Sequence, residues 1–371
     1  MPVPQEGSPV PGVPAPATLV PTGSTGADPV DLPPADLPTV ADLPMVELFA
    51  LGGTIASLPS GEGVTPKVTG EQLVRAVPAL EHVARVEATQ FLQVPSCELT
   101  VGDLALLVEV MRAAVDAGAA GCVVTQGTDT LEETTFVLDL LWDRAAPVVV
   151  TGAMRSADQP GADGPANLLS AVRVAASSEA VGAGVLAVLG DEVHAGRHVR
   201  KSHTWAPSAF TSPGLGPVGG VAEGRVRLPL RPVRVPGGLD TRALTARPLP
   251  RVVCLRVGMG EGPELLEAVL GMQVDGVVLE GVGGGHVPRA LAPTLERLAR
   301  RIPVLLCGRP GAGPALSTSY GYPGGDVDLV ARGLVPAGPL DATKARLALV
   351  LGLATHPTRE ALEEWLDRTF G

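Results

Sequence analysis

Long apolar runs, clustered cysteines and clustered basic residues are all missing from this sequence, and each absence excludes a class of function. No stretch approaches the ~18 to 20 apolar residues that a membrane span needs, and the amino terminus lacks the basic-then-apolar order of a signal peptide. A soluble chain without a membrane partner is expected. The 4 cysteines (Cys97, Cys122, Cys254 and Cys307) form no CxxC pair, and three lie in or beside apolar runs. They read as reduced thiols of a cytoplasmic protein. The formal charge is -11 and no Lys/Arg cluster tracks phosphates, so nucleic acid and anionic membrane are poor partners and small substrates are favoured. The chain has no GxxxxGK[ST], no HExxH and no GxSxG, which demotes P-loop, zinc-peptidase and serine-hydrolase chemistry. Gly281-Val282-Gly283-Gly284-Gly285-His286 lacks the third glycine of a dinucleotide fingerprint and reads as tight-turn geometry.

The chain's 371 residues correspond to roughly two domains at ~150 residues each. Residues 1–44 are rich in Pro, Gly, Ala, Thr and Asp with few bulky apolar groups, so a disordered tail is expected. Val46–Leu51 then reads as a buried strand stopped by Gly52-Gly53-Thr54. Ser57–Pro66 has no periodicity and reads as a loop and candidate lid, followed by a short helix through Leu73, Val77 and Leu80 and a strand at Phe91–Val94. Thr100–Asp103 resembles a capping box opening a helix that ends near Gly118. Strand Cys122–Thr125, helix Leu131–Trp142, strand Pro147–Val150, a helix from Asp163-Gly164-Pro165 and strand Gly184–Leu189 continue the alternation.

From His203 to about Pro250 the pattern loses helical periodicity, which places an interdomain linker at 228–250 between an amino-terminal domain, 45–227, and a carboxy-terminal one, 251–371. The second half restarts with strands Val252–Val257, Gly276–Val282 and Pro303–Cys307 and ends in helices Asp341–Ala354 and Thr358–Phe370. The fold class is α/β: two domains, a larger mostly parallel amino-terminal sheet with flanking helices and a smaller carboxy-terminal α/β domain.

Several side chains fall at strand ends, where open parallel sheets bind ligands. Taken singly, each has a structural reading: Thr54, Thr128 and Asp129 as helix caps, Ser96 as a turn residue, Lys201 as a solvated lysine and His203 as structural. Their combination is more specific. Leu51-Gly52-Gly53-Thr54-Ile55-Ala56, Gln126-Gly127-Thr128-Asp129-Thr130-Leu131-Glu132-Glu133-Thr134, Gly152-Ala153-Met154-Arg155, Asp163-Gly164-Pro165-Ala166-Asn167-Leu168 and Lys201-Ser202-His203-Thr204, in that order, resemble the bacterial-type L-asparaginase family.

That resemblance, which runs from Met45 to the carboxyl terminus, implies a two-domain amidohydrolase that converts asparagine to aspartate and ammonia without metal or organic cofactor, and it leaves some glutaminase activity open. It also implies a homodimer or homotetramer. By the same resemblance Thr54 is the nucleophile, forming an acyl-enzyme, and Thr128, Asp129 and Lys201 make a second catalytic group. Substrate binding falls to Asp129 for the α-ammonium, Ser96 for the α-carboxylate, the Ala153 carbonyl for the leaving amide and the Thr128 N–H for the oxyanion. Many members carry a lid tyrosine beside the first threonine, but the only tyrosines here are Tyr320 and Tyr322. Thr65, a water, or Tyr320 from a partner chain are the alternatives for that place. The resemblance leaves two further readings open: an amidohydrolase subunit of a tRNA-dependent amidotransferase, and a non-catalytic amino-acid sensor.

Overall fold

The computed structural model describes residues 42–53, 55, 57–60, 63–66, 68–234, 239–245 and 248–371. The expected tail, 1–44, lies almost wholly outside the described residues, and so does Thr54. The chain opens with β1 (Met45–Ala50), the hairpin β2 (Ser57–Ser60) and β3 (Gly63–Pro66), α1 (Gly70–Arg75) and β4 (Arg85–Gln90). It continues through α2 (Val101–Asp116), β5 (Gly121–Thr125), α3 (Leu131–Leu141), β6 (Val148–Thr151), α4 (Gly164–Ala175) and β7 (Val185–Leu189). Five short strands follow: β8 (Glu192–Ala195), β9 (Arg200–Lys201), β10 (Phe210–Thr211), β11 (Gly219–Ala222) and β12 (Arg225–Arg227). The second half runs α5 (Thr241–Thr245), β13 (Val252–Arg256), α6 (Glu264–Leu270), β14 (Gly276–Gly281), α7 (Ala292–Ala299), β15 (Val304–Gly308), α8 (Asp326–Ala331), β16 (Val335–Pro336), α9 (Ala342–Thr355) and α10 (Arg359–Phe370).

The large sheet has the order β12-β11-β8-β7-β6-β5-β1-β4, parallel from β4 to β7 and antiparallel beyond. The smaller sheet, β13-β14-β15-β16, is parallel throughout. β5 is buried at every residue, as the continuous run Cys122–Thr125 predicts for a strand covered on both faces. Strand order reverses between β1 and β5, since the chain leaves β1 for the β4 edge and returns to extend the sheet on the other side. An open α/β sheet forms its ligand crevice at such a switch, outside the carboxyl ends of the two strands.

Three expectations need correction. The strand expected at Phe91–Val94 lies earlier, at Arg85–Gln90, paired with β1 from Met45↔Arg85 to Ala50↔Gln90. It is the sheet's edge and exposes Arg85, Glu87 and Gln90, so an apolar criterion passes over it. Phe91 and Leu92 instead pack on the core as irregular chain, donating their N–H groups to Ala50 O. The loop expected at Ser57–Pro66 contains the β2–β3 hairpin, whose four-residue strands are too short for alternation to register. The stretch 228–250 is not wholly linker, because it holds α5, whose Thr241 hydroxyl donates to Glu109 on α2 at 2.6 Å.

Helix starts follow the sequence closely. Thr100 and Asp103 make the reciprocal capping box, Asp341 accepts from the Lys344 N–H at 2.9 Å, and Thr358 accepts from Ala361. The glycine cluster after β14 is a tight turn bridged by Val282 and His286, with φ of +55° at Gly283 and +111° at Gly285. One hydrophobic cluster joins the two sheets: Phe136, Leu140 and Leu141 of α3 share it with Leu347, Ala348 and Leu351 of α9 and with Phe370 of α10. Phe136 and Phe370 stack with centroids 6.0 Å apart. Phe136→Ala should therefore cost about 3–5 kcal/mol, read as a lower midpoint in a urea titration. Both halves should still unfold in one transition, because the cluster is shared.

Candidate active site

At the switch point three strand ends are locked in step. The Leu51 N–H donates to Thr125 O at 2.8 Å, and the Gln126 N–H donates to Thr151 O at 3.1 Å. The turns beyond them meet through glycines. Gly52 and Gly53 have φ of +107° and +86°, and a Cβ on Gly53 would fall 1.9 Å from the Gly127 nitrogen. A Cβ on Gly127 would stand 2.9 Å from Ser96 Oγ, and one on Gly152 would stand 2.7 Å from Gln126 O. The double glycine that precedes Thr54 and the Gln126–Asp129 turn are thus in backbone contact, with the Ser96 side chain against Gly127. Thr54 itself lies outside the described residues. Ser96 is buried at the start of a helical turn, and its carbonyl accepts from the Thr130 hydroxyl at 2.7 Å.

Thr128 and Asp129 are not caps. The residue at the cap position of α3 is Thr130, which itself makes no side-chain cap bond. Both side chains turn to Lys201. The Lys201 Nζ donates to Thr128 Oγ1 at 2.9 Å and to Asp129 Oδ1 at 2.6 Å. Lys201 is only 14% exposed at its side chain while Asp129 is 76% exposed, which overturns the solvated-lysine reading and leaves the carboxylate open to the cleft. Solvent screening on the Asp129 side makes this pair a matter of geometry more than of stability. A cleft of ≈ 310 Å³ lies against Asp129, Lys201, Ser202, His203 and Thr204. The His203 Nδ1 accepts from the N–H groups of Trp205 and Ala206, a turn-forming role in keeping with its structural reading.

The fourth turn, Gly152–Arg155, is shaped by two residues whose roles sequence reasoning missed. Asp163 reads as a helix cap but makes no cap bond. Its carboxylate instead accepts from the N–H groups of Met154 and Arg155 at 2.9 and 2.8 Å. Asn167 donates to Gly152 O and Asp163 Oδ2, each at 3.0 Å, and accepts from the Gly190 N–H at 2.9 Å. Ala153 is buried in this turn and borders an apolar cavity of ≈ 220 Å³ with Ile55, Leu73 and Leu168. The Asp163-Gly164-Pro165-Ala166-Asn167 spacing was the available signal, since it puts both side chains one helical turn apart on the same face.

Glu132 was also missed. Its carboxylate accepts the Lys201 backbone N–H at 2.6 Å, and burial raises its pKa against that hydrogen bond and the Lys344 charge. Tyr320 and Tyr322 gather elsewhere, around His286 beyond β14, where the Tyr322 hydroxyl lies 3.1 Å from His286 Nδ1. Thr65 pairs with Leu58 in the β2–β3 hairpin. The contact between glycines leaves no room for change: Gly53→Ala, with a left-handed φ and a backbone clash, should lose about 3 kcal/mol or more of stability or fail to fold. Thermal denaturation of the purified variant checks it.

The chain matches known proteins along most of its length. The "Asparaginase, N-terminal" family model matches residues 45–234, and the "Glutaminase/Asparaginase C-terminal domain" model matches residues 251–366. A probable L-asparaginase of Deinococcus radiodurans is 38% identical over 335 residues, covering 86% of this chain and 96% of that protein. L-asparaginase 2 of Escherichia coli is 33% identical over 337 residues, covering 87% and 92%. The glutaminase-asparaginase of Pseudomonas fluorescens is 32% identical over 346 residues, covering 90% and 92%. Among solved structures, a probable cytoplasmic L-asparaginase from Campylobacter jejuni superposes with a TM-score of 0.79 at 27% identity, over 87% of this chain and 99% of that one. These names lend no support to the amidotransferase-subunit or sensor readings. With both family models matched in order and relatives above 30% identity along nearly their whole length, the chain belongs to the asparaginase family.

Proposed function

We propose that this protein hydrolyses the side-chain amide of L-asparagine to L-aspartate and ammonia, through a threonine ester of the substrate acyl group. The observation that carries the reading is the Lys201 Nζ held 2.9 Å from Thr128 Oγ1 and 2.6 Å from Asp129 Oδ1 at the mouth of the sheet's switch point. Family membership supports the substrate, because relatives matched along nearly their whole length are named for asparagine.

In this proposal the Thr54 hydroxyl adds to the amide carbon and its proton leaves with ammonia. Water then cleaves the ester, releasing aspartate and restoring the threonine. A free hydroxyl is a weak nucleophile, so the step depends on proton transfer and on donors aimed at the oxyanion. The Thr128 N–H supplies one such donor. A lysine ammonium only donates, so with Lys201 bonded to Thr128 Oγ1 the threonine's own O–H is directed away, toward the cleft, as an oriented donor. Asp129, exposed on the cleft side, takes the substrate's α-ammonium. Ser96, against the amino end of α3, takes the α-carboxylate, where the helix dipole favours an anion. The Ala153 carbonyl accepts from the leaving amide.

The division into a catalytic domain, 45–227, and a carboxy-terminal domain, 251–371, belongs to the same proposal, as do a cytoplasmic location and assembly as a homodimer or homotetramer. The location is supported by four unpaired thiols, of which burial pushes the Cys122 pKa up to about 12 and Cys307 well above its usual value. Assembly is supported by large side chains on the surface, among them Trp205, Met259, Tyr320 and Tyr322. Sedimentation equilibrium should return a mass of two or four chains.

Ammonia release from L-asparagine tests the activity. Thr54→Ala and Lys201→Met should each lower kcat by at least about a hundredfold, the usual scale for losing a nucleophile or a proton-handling group. Retention of full activity by Thr54→Ala would contradict the nucleophile assignment.

A further inference from the structure

Cations in this chain are almost all arginine. Only three lysines occur, Lys67, Lys201 and Lys344, among 28 Lys and Arg residues. Lys201 is in the proposed site, and Lys344 approaches the same strand from the other half of the molecule. It is 3% exposed, in the first turn of α9, and its Nζ donates to Val199 O at 2.7 Å and lies 3.4 Å from Asp341 Oδ2.

This is a costly place for a lysine. Burial removes the ammonium from water, and the amino end of a helix is where the backbone dipole repels a positive charge. Asp341, the cap of the same helix, and the Glu132 carboxylate offset part of that cost, and the other hydrogen bond of the ammonium is to Val199 O, two residues before Lys201. Two residues further along, the Lys201 N–H donates to Glu132 on α3. The two side chains therefore hold successive peptide groups, the Val199 C=O from α9 and the Lys201 N–H from α3, on either side of Arg200. Regular sheet pairing here is minimal: β9 has two residues, Arg200 and Lys201, opposite Thr211 and Phe210. The next peptide is laddered, with the Ser202 N–H donating to Ala209 O at 2.7 Å, but the Lys201 N–H itself is held by Glu132, and a flexible four-carbon stem gives an unfixed Nζ many places to go.

We infer that Lys344 and Glu132 are positioning residues that fix the backbone of Lys201, so that a helix of the carboxy-terminal half sets where the Lys201 ammonium meets Thr128 and Asp129. The inference rests on the role proposed for Lys201. It makes α9 part of the catalytic machinery at one remove and couples the packing of the second sheet to the chemistry of the first.

The scarcity of lysine supplies the test. In protein labelled with ¹³C at lysine Cε, the three lysines give at most three ε-methylene signals, and Lys201→Met identifies the one that belongs to Lys201. Glu132→Ala and Lys344→Met should move that signal toward the position of a free lysine and lower kcat about tenfold, about 1.4 kcal/mol in barrier. Glu132→Gln, which keeps an acceptor for the Lys201 N–H, should restore most of both. If Lys344→Met does not fold, the pair Glu132→Ala and Glu132→Gln decides. The inference is overturned if the Lys201 signal stays in place in Glu132→Ala, or if it moves while kcat is retained. It is equally overturned if Glu132→Gln behaves like Glu132→Ala. Failure of the underlying reading looks different: Lys201→Met itself would then release ammonia at the normal rate.

Discussion

Two backbone turns touch where no side chain fits between them, and the site depends on that contact. Gly53 stands so close to Gly127 that a single methyl group would penetrate the peptide, and Gly127 in turn stands against Ser96. The contact brings together the ends of β1 and β5, the two strands between which the sheet reverses its order. Everything polar at the site is arranged around it. Thr128 and Asp129 follow Gly127 directly, Ser96 closes one side, and the Gly152–Arg155 turn, held by Asp163 and Asn167, closes another.

Lys201 reaches this centre from a different part of the chain, and its placement is the weakest link mechanically. It comes from a two-residue strand, and side-chain clamps from α3 and α9 add to the short ladder that holds its backbone. The same two helices form the hydrophobic cluster that joins the two sheets, with Phe136, Leu347 and Phe370 among its members. The packing that unites the halves of the molecule and the bonds that orient Lys201 therefore run through common elements. On the proposed reading, a change in how the second half packs would register as a change in catalysis before it registered as unfolding.

How much of this is legible in the sequence depends on the range of the interaction. β5 and its turn are plain, because a fully buried strand is an unbroken apolar run and its end is marked by glycine and hydroxyl residues. The capping box at Thr100 and the helix starts at Asp341 and Thr358 are local, and sequence reading finds them. β4 is missed because an edge strand carries polar residues that resemble loop, and the apolar Phe91-Leu92 beside it is a stronger but misleading signal. Lys201 cannot be told from a surface lysine by its neighbours, since its partners are more than seventy residues away. Glu132 and Lys344 are less visible still: both act on backbone groups, and a contact between a side chain and a distant peptide leaves no pattern in sequence. Family resemblance supplied for Thr128, Asp129 and Lys201 what periodicity had no means to supply.

On the proposed function, Thr128, Asp129 and Lys201 surround the amide of a bound amino acid at the β1–β5 switch. A crystal structure with L-aspartate bound should then show the α-ammonium beside Asp129, the α-carboxylate beside Ser96, and the side-chain carboxylate within hydrogen-bond reach of both Thr54 and Thr128. Aspartate seated elsewhere, or turned so that its side chain points away from the two threonines, would contradict it.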